Sequence, residues 1–374
     1  MTGADLRHWG SPSRAGALVL RVPVLRWSTR VQLRAVVVTV VTSALAFAVF
    51  AWSLTVGDFP VSLDDVIKEV LGSLFRGIPF LRDLVAPASP DTSFIVHTLR
   101  LPRGLTALLV GAAFGLSGAI FQRLARNPLA SPDIIGIEAG AAAAAVFVIV
   151  ILKGSTTQTT WGALAGAIVT AFVVYVLAYR RGVTGYRLVL VGIGIGAMLS
   201  SIVSYLLTRA RIFEAQQATV WLTGSLNGRG WEHVGPVWRA LVVVLPITLV
   251  LARQLRVLEL GDDAAKGLGA RVEWVRAALI LCGVLLAAIA TASAGPVGFV
   301  ALVSPQIARR LVRARSAALV PAAAVGALLL VTSDLVGRRI IAPTELPVGV
   351  ITAIVGAPYL LLLLARANRI GSGG

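Results

Sequence analysis

Arg100-Leu101-Pro102-Arg103 opens the stretch whose reading decides the fold. A Gly/Ala-rich apolar run continues to Gln122, followed by a polar turn, Arg126-Asn127-Pro128-Leu129-Ala130-Ser131-Pro132-Asp133. A second Gly/Ala-rich run begins at Ile134. Each run is about as long as a helix needs to cross a hydrocarbon core of roughly 30 Å. The stretch therefore predicts a membrane hairpin, closed by a compact turn and flanked at its far end by two arginines.

The rest of the chain repeats this pattern. Hydrophobic residues make up 57% of the 374 residues and charged residues only 14%, with mean hydropathy +0.86, which excludes an ordinary soluble domain. Apolar runs recur at about 35–55, 104–122, 134–152, 161–179, 188–207, 237–255, 277–296, 298–312, 317–336 and 347–365. They predict an all-α polytopic membrane protein of about ten transmembrane helices, in which the run at 298–312 is short and contains Pro305. Residues 1–34 form an arginine-rich tail, 35–366 the transmembrane domain and 367–374 a C-terminal tail. The run after the first tail is of full spanning length and lacks a cleavage site, so it reads as a helix and not a signal peptide.

Charge sets the expected orientation. The net charge of +17 lies in arginines between apolar runs, not on one face of a soluble fold, which argues against nucleic-acid binding. Arg123 and Arg126, then Arg180, Arg181 and Arg187, then Arg309, Arg310 and Arg313, fall in alternate loops, as does the basic loop at about 253–276. The segment at about 56–98 instead collects Asp58, Asp64, Asp65, Glu69, Asp83 and Asp91. The positive-inside rule then predicts an outer loop at 56–98 and both termini in the cytoplasm. Within that outer loop, Ser62-Leu63-Asp64-Asp65 predicts the capped start of a short surface helix.

Small residues predict close packing. Gly111/Gly115, Gly136/Gly140 and Gly162/Gly166 have the GxxxG spacing that lets helix backbones approach in lipid. Gly192, Gly194 and Gly196 have neither the Rossmann spacing nor a Walker lysine, and they sit in an apolar span. The single cysteine, Cys282, and the scattered His8, His97 and His233 offer no metal-ligand spacing. Neither a cofactor, a metal site nor a catalytic constellation is expected.

The loop at 253–276 contains Leu260-Gly261-Asp262-Asp263-Ala264-Ala265-Lys266-Gly267-Leu268-Gly269, a short helix opened by acids and ended by glycines. Taken alone, these residues suit a docking element for a soluble partner or an ordinary basic loop equally well. The segment resembles the cytoplasmic coupling segment of the iron–siderophore/cobalamin (FecCD) family of ABC importer permeases. Other stretches agree with that family in order: Arg100 to Arg103, Arg126 to Ala130, Trp221-Leu222-Thr223-Gly224-Ser225-Leu226, and Ala294-Gly295-Pro296-Val297-Gly298-Phe299. Ser304-Pro305-Gln306-Ile307-Ala308-Arg309, Glu345-Leu346-Pro347-Val348-Gly349 and Gly356-Ala357-Pro358 complete the series. The sequence departs from the family at Gln306, where a histidine is common, and at Ser304, where an apolar residue is.

The resemblance implies a type II importer permease working as a dimer with a second copy or paralogue, in a bacterial plasma membrane. Cytoplasmic ATPase subunits would meet Leu260, Gly261, Asp262, Asp263, Ala264, Lys266, Gly267, Leu268 and Gly269. An extracytoplasmic binding protein would dock its acids on Arg100, Arg103 and Arg338, a role that the planar, always-charged guanidinium suits. Headgroup contact or snorkelling is the plainer reading of those arginines. The implied cargo is a bulky iron chelate such as a ferric siderophore, with cobalamin or haem as alternatives. An ion-coupled secondary transporter would need mid-membrane carboxylates, for which Glu138 is the candidate; it is also the candidate pathway residue. Asp334 and Arg338, four residues apart, could instead form a local ion pair, and Glu345 lies between Pro343 and Pro347.

Overall fold

A computed structural model describes residues 17–22, 27–57, 59–74, 90–179, 185–258, 267, 271–313 and 318–371. Twelve helices account for nearly all of these residues: α1 (Leu33–Thr55), α2 (Leu63–Leu74), α3 (Pro90–Leu124), α4 (Ile137–Leu152), α5 (Thr156–Ala178) and α6 (Gly185–Arg209). They continue as α7 (Ile212–Leu222), α8 (Trp231–Leu258), α9 (Val272–Ala294), α10 (Val300–Val312), α11 (Leu319–Arg339) and α12 (Val348–Gly371). Seven, namely α1, α3, α5, α6, α8, α9 and α11, are long and apolar enough to cross a membrane; α4 and α12 carry shorter apolar stretches. Helix α10 is only 13 residues long, so the run at 298–312 forms a short helix buried among its neighbours. Within the arginine-rich N-terminal tail, β1 (Ala17–Val22) pairs antiparallel with β2 (Trp27–Gln32) just before α1.

Helix α3 is the centre of the bundle. Its 18-residue apolar window is 83% buried, and α8, α9, α10 and α11 all pack against it. A helix that is apolar on every side belongs inside, and α3 has hydrophobic residues all round its circumference. Glycine permits the contacts. A Cβ on Gly111 or Gly115 would overlap the backbone carbonyls of Gly326 or Ala322 in α11, and one on Gly118 would overlap that of Ala301 in α10. The same device joins α4 to α5, where Gly140 and Gly166 meet backbone to backbone.

The hairpin of α3 and α4 gives the bundle two ends. The upper end carries Arg100, Arg103, the C-termini of α1, α9 and α11 and the N-terminus of α12. The lower end carries the Asn127–Pro128 turn, the N-termini of α1, α4 and α11 and the C-terminus of α10. At the upper end, α2 starts where the Ser62 hydroxyl accepts the Asp65 amide at 3.1 Å, and Ser93 holds its Glu69 carboxylate at 2.7 Å.

Candidate functional site

The three arginines expected to dock a partner converge at the upper end, and all three face inward. Arg100 is 9% exposed and donates to the carbonyls of Leu54, at 2.8 Å, and Phe59. The last carbonyls of a helix lack partners within it, and Leu54 sits in the final turn of α1, so Arg100 closes that end with a cation. Gly57 leaves the room, since a Cβ there would strike the guanidinium. Arg338 reaches the same turn from α11, through the Ser53 carbonyl at 3.4 Å.

Arg103 joins the network through its charge. Nε and Nη2 donate to Asp334 Oδ1 at 3.1 and 2.9 Å, and Nη1 donates to Glu345 at 2.9 Å. Asp334 also faces Arg338 across 3.1 Å, a charge contact without the alignment of a hydrogen bond. Two arginines and two carboxylates thus balance in one cluster. Asp334, 2% exposed, is its buried centre, and Glu345, 37% exposed, is its outlet to the surface.

Motifs that are remote in sequence also meet at the upper end. The Ser225 amide donates to Ala294 at 2.9 Å, and the Gly349 amide donates to Gly224 at 3.1 Å. Gly224, with φ of 67°, lies so close to the Pro296 carbonyl that only a residue without a Cβ fits. Trp221-Leu222-Thr223-Gly224, Gly295-Pro296 and Pro347-Val348-Gly349 therefore form one interlocked node, which no local pattern foretold.

At the lower end the family departure at Gln306 turns out to be structural. Its amide donates to Gln122 Oε1 at 2.9 Å and to the Pro128 carbonyl at 2.8 Å, while Gln122 donates to Leu302 at 2.9 Å. Arg309 completes the chain by donating to Gln306 Oε1 at 2.6 Å. Of these amide hydrogen bonds, the one to Pro128 ties the hairpin turn to α10, and the two that involve Gln122 tie α3 to α10.

Glu138 lies in the first turn of α4, after Gly136 in the left-handed conformation, and is 8% exposed. Its Oε1, Asp133 Oδ1 and Ser131 Oγ are buried without a hydrogen-bond partner. Helix α6, which crosses this turn with Gly192 against Ile135, packs one face on α4 and α5 and leaves most of the rest uncovered: only Leu188, Gly192 and Leu206 are fully buried. Ser201, Ser204 and Thr208 satisfy their hydroxyls on α6 carbonyls along this open helix. At its far end, the Arg211 amide and Lys153 hold the Glu214 carboxyl below its usual range, linking α4 to α7.

The residues expected to couple to an ATPase, Leu260 to Gly269, lie outside the described residues except for Gly267, which is exposed. Among the described residues no group of His, Cys, Asp and Glu could hold a metal ion.

Such a bundle, with glycine-packed spans and with α1 and α6 largely uncovered, is that of a multi-pass membrane protein. The chain belongs to the FecCD transport family, whose model it matches over residues 44–366. That family consists of permease subunits of ABC transporters. The chain is 43% identical over 286 residues to the ferric enterobactin transport system permease protein FepG of Escherichia coli, covering 76% of this chain and 87% of that one. It is 37% identical over 341 residues to the iron(3+)-hydroxamate import system permease protein FhuG of Bacillus subtilis, covering 89% and 97%. A solved metal-chelate type ABC transporter in an inward-facing conformation superposes with a TM-score of 0.75 at 26% identity, covering 88% of this chain and 99% of that one. The apolar helices and bacterial relatives make it a multi-pass protein of the bacterial plasma membrane.

Proposed function

We propose that this chain is the translocating subunit of an importer that carries a ferric siderophore into the cytoplasm, with ATP hydrolysed by a separate subunit. The observation that carries this reading is its similarity, over most of its length, to permeases named for ferric enterobactin and iron(3+)-hydroxamate. Ten crossings, counting α10, with both termini and the lower end in the cytoplasm, agree with the arginines of the alternate loops. The largely uncovered, hydroxyl-bearing α6 supports a pathway shared with a second copy or paralogue, and Glu138 stands beside its lower part. Residues 253–276 would meet the ATPase.

Docking of a binding protein at the upper end engages Arg103 in this proposal. Its Nη1 is held by Glu345, the exposed member of the cluster, so an incoming carboxylate would take the place of Glu345. Arg100 and Arg338 set the surface by fixing α1 beneath it.

The test is reconstitution in liposomes with the partner ATPase and binding protein. Ferric siderophore should accumulate only when ATP is supplied on the ATPase side. Accumulation without the ATPase subunit would overturn the reading.

A further inference from the structure

We propose that the lower end of α10 forms a binding site for anionic phospholipid headgroups, built from Arg34, Arg309, Arg310 and Arg313. These four arginines come together from two helices. Arg34, at the foot of α1, donates through Nε to the Leu311 carbonyl at 2.7 Å. Arg309 is bonded to Gln306, and Arg310 lies 5.4 Å over the Tyr359 ring of α12. Arg313, at the end of α10 with φ of 51°, is exposed.

All the recorded partners are neutral: a carbonyl, an amide oxygen and an aromatic ring. Among the described residues, none of the four is paired with an acidic side chain. The C-terminal dipole of α10 accounts for part of this preference for cations. It amounts to about half a charge, far less than the four positive charges present. Phosphodiester groups, with oxygens that accept guanidinium forks, match the remainder.

The apolar surroundings identify a lipid and not a soluble acidic protein as the occupant. Leu311 is 42% exposed between Arg310 and Val312, and above Arg34 the outward row of Val36, Val37 and Val40 is also uncovered. The arginines thus border the lateral, acyl-facing wall of the bundle at the level of its end. A cleft between α3 and α10, lined by Gln122, Arg123, Pro305 and Arg309, extends the basic surface inward.

The experiment uses the purified full-length permease, with native mass spectrometry counting retained phosphatidylglycerol against phosphatidylcholine. The set R34Q/R309Q/R310Q/R313Q should lose about tenfold in phosphatidylglycerol retention and leave phosphatidylcholine unchanged. Replacing all four by Lys should keep most of the retention, since the charge remains. If the Gln set does not fold, Arg313→Gln alone should still lower retention about twofold, because its side chain is exposed. Equal retention in the charge-neutral and parent proteins would overturn the proposal. So would displacement by millimolar glycerol phosphate, which would mark a site for free phosphate. Unchanged lipid retention with loss of the ATPase subunit would assign the patch to a protein instead.

Discussion

Two nitrogens of Arg103 converge on a single oxygen of Asp334, across 231 positions of sequence, and so fasten α3 to α11. Asp334 is 2% exposed, and its loss would leave Arg338 largely covered without a carboxylate and Arg103 with Glu345 alone. Asp334→Ala should cost about 3–5 kcal/mol, the usual penalty for breaking a buried pair from one side. Thermal unfolding of the detergent-solubilised protein reads the effect. The double variant Arg103→Ala/Asp334→Ala should cost less than the sum of its parts, and strict additivity would show that the pair is not coupled.

Glu345 occupies the arginine that the docking proposal needs. Glu345→Gln should therefore tighten the complex with the binding protein several-fold by releasing Arg103, whereas Arg103→Glu should weaken it. Surface plasmon resonance on nanodisc-held permease measures both. An unchanged affinity in Glu345→Gln would eliminate the exchange of carboxylates, while leaving the transport assignment intact.

Gly118 touches the Ala301 backbone, whereas Gly194 has nothing within 4 Å of a prospective Cβ. Gly118→Val should force α3 and α10 apart at a cost of about 1–3 kcal/mol or more, seen as lost monodisperse protein on size-exclusion chromatography. Gly194→Ala should keep stability or raise it by up to about 1 kcal/mol, since alanine is the better helix former and meets nothing there. If the two behave alike, backbone contact is not what Gly118 provides.

Gln306 holds α10 to the turn through the Pro128 carbonyl and to α3 through Gln122. Gln306→Leu should leave buried acceptors unpaired, at about 1–3 kcal/mol, and should slow ATP-driven uptake at normal expression. Gln306→His restores a donor and should recover most of the rate. Failure of the histidine to rescue would indicate that the shape of the glutamine matters, and not the bond it gives.

In the loop at 253–276, Asp262→Ala and Gly267→Pro should leave ATP hydrolysis running without transport, measured as uptake per ATP in proteoliposomes. Preserved stoichiometry would remove this loop from the coupling role.

The sequence by itself determined the membrane class, the positions of the long spans and several of the glycines at which helices touch, though not Gly118 or Gly326. Those properties depend on local quantities: a run of apolar residues either matches the bilayer or does not, and a missing Cβ admits a backbone. The short surface helix at Leu63–Leu74 was legible for the same reason, through its Ser62 cap. Only the tertiary structure decided what the charged and polar side chains do. Arg100, Arg103 and Arg338 stood out in the sequence as exposed attachment points, yet each is engaged by a carbonyl or carboxylate of another segment. The node of Gly224, Pro296 and Gly349 and the pairing of Gln122 with Gln306 were equally hidden. A buried polar group must find a partner wherever the fold brings one, and that partner can lie hundreds of residues away, beyond any periodicity the chain displays.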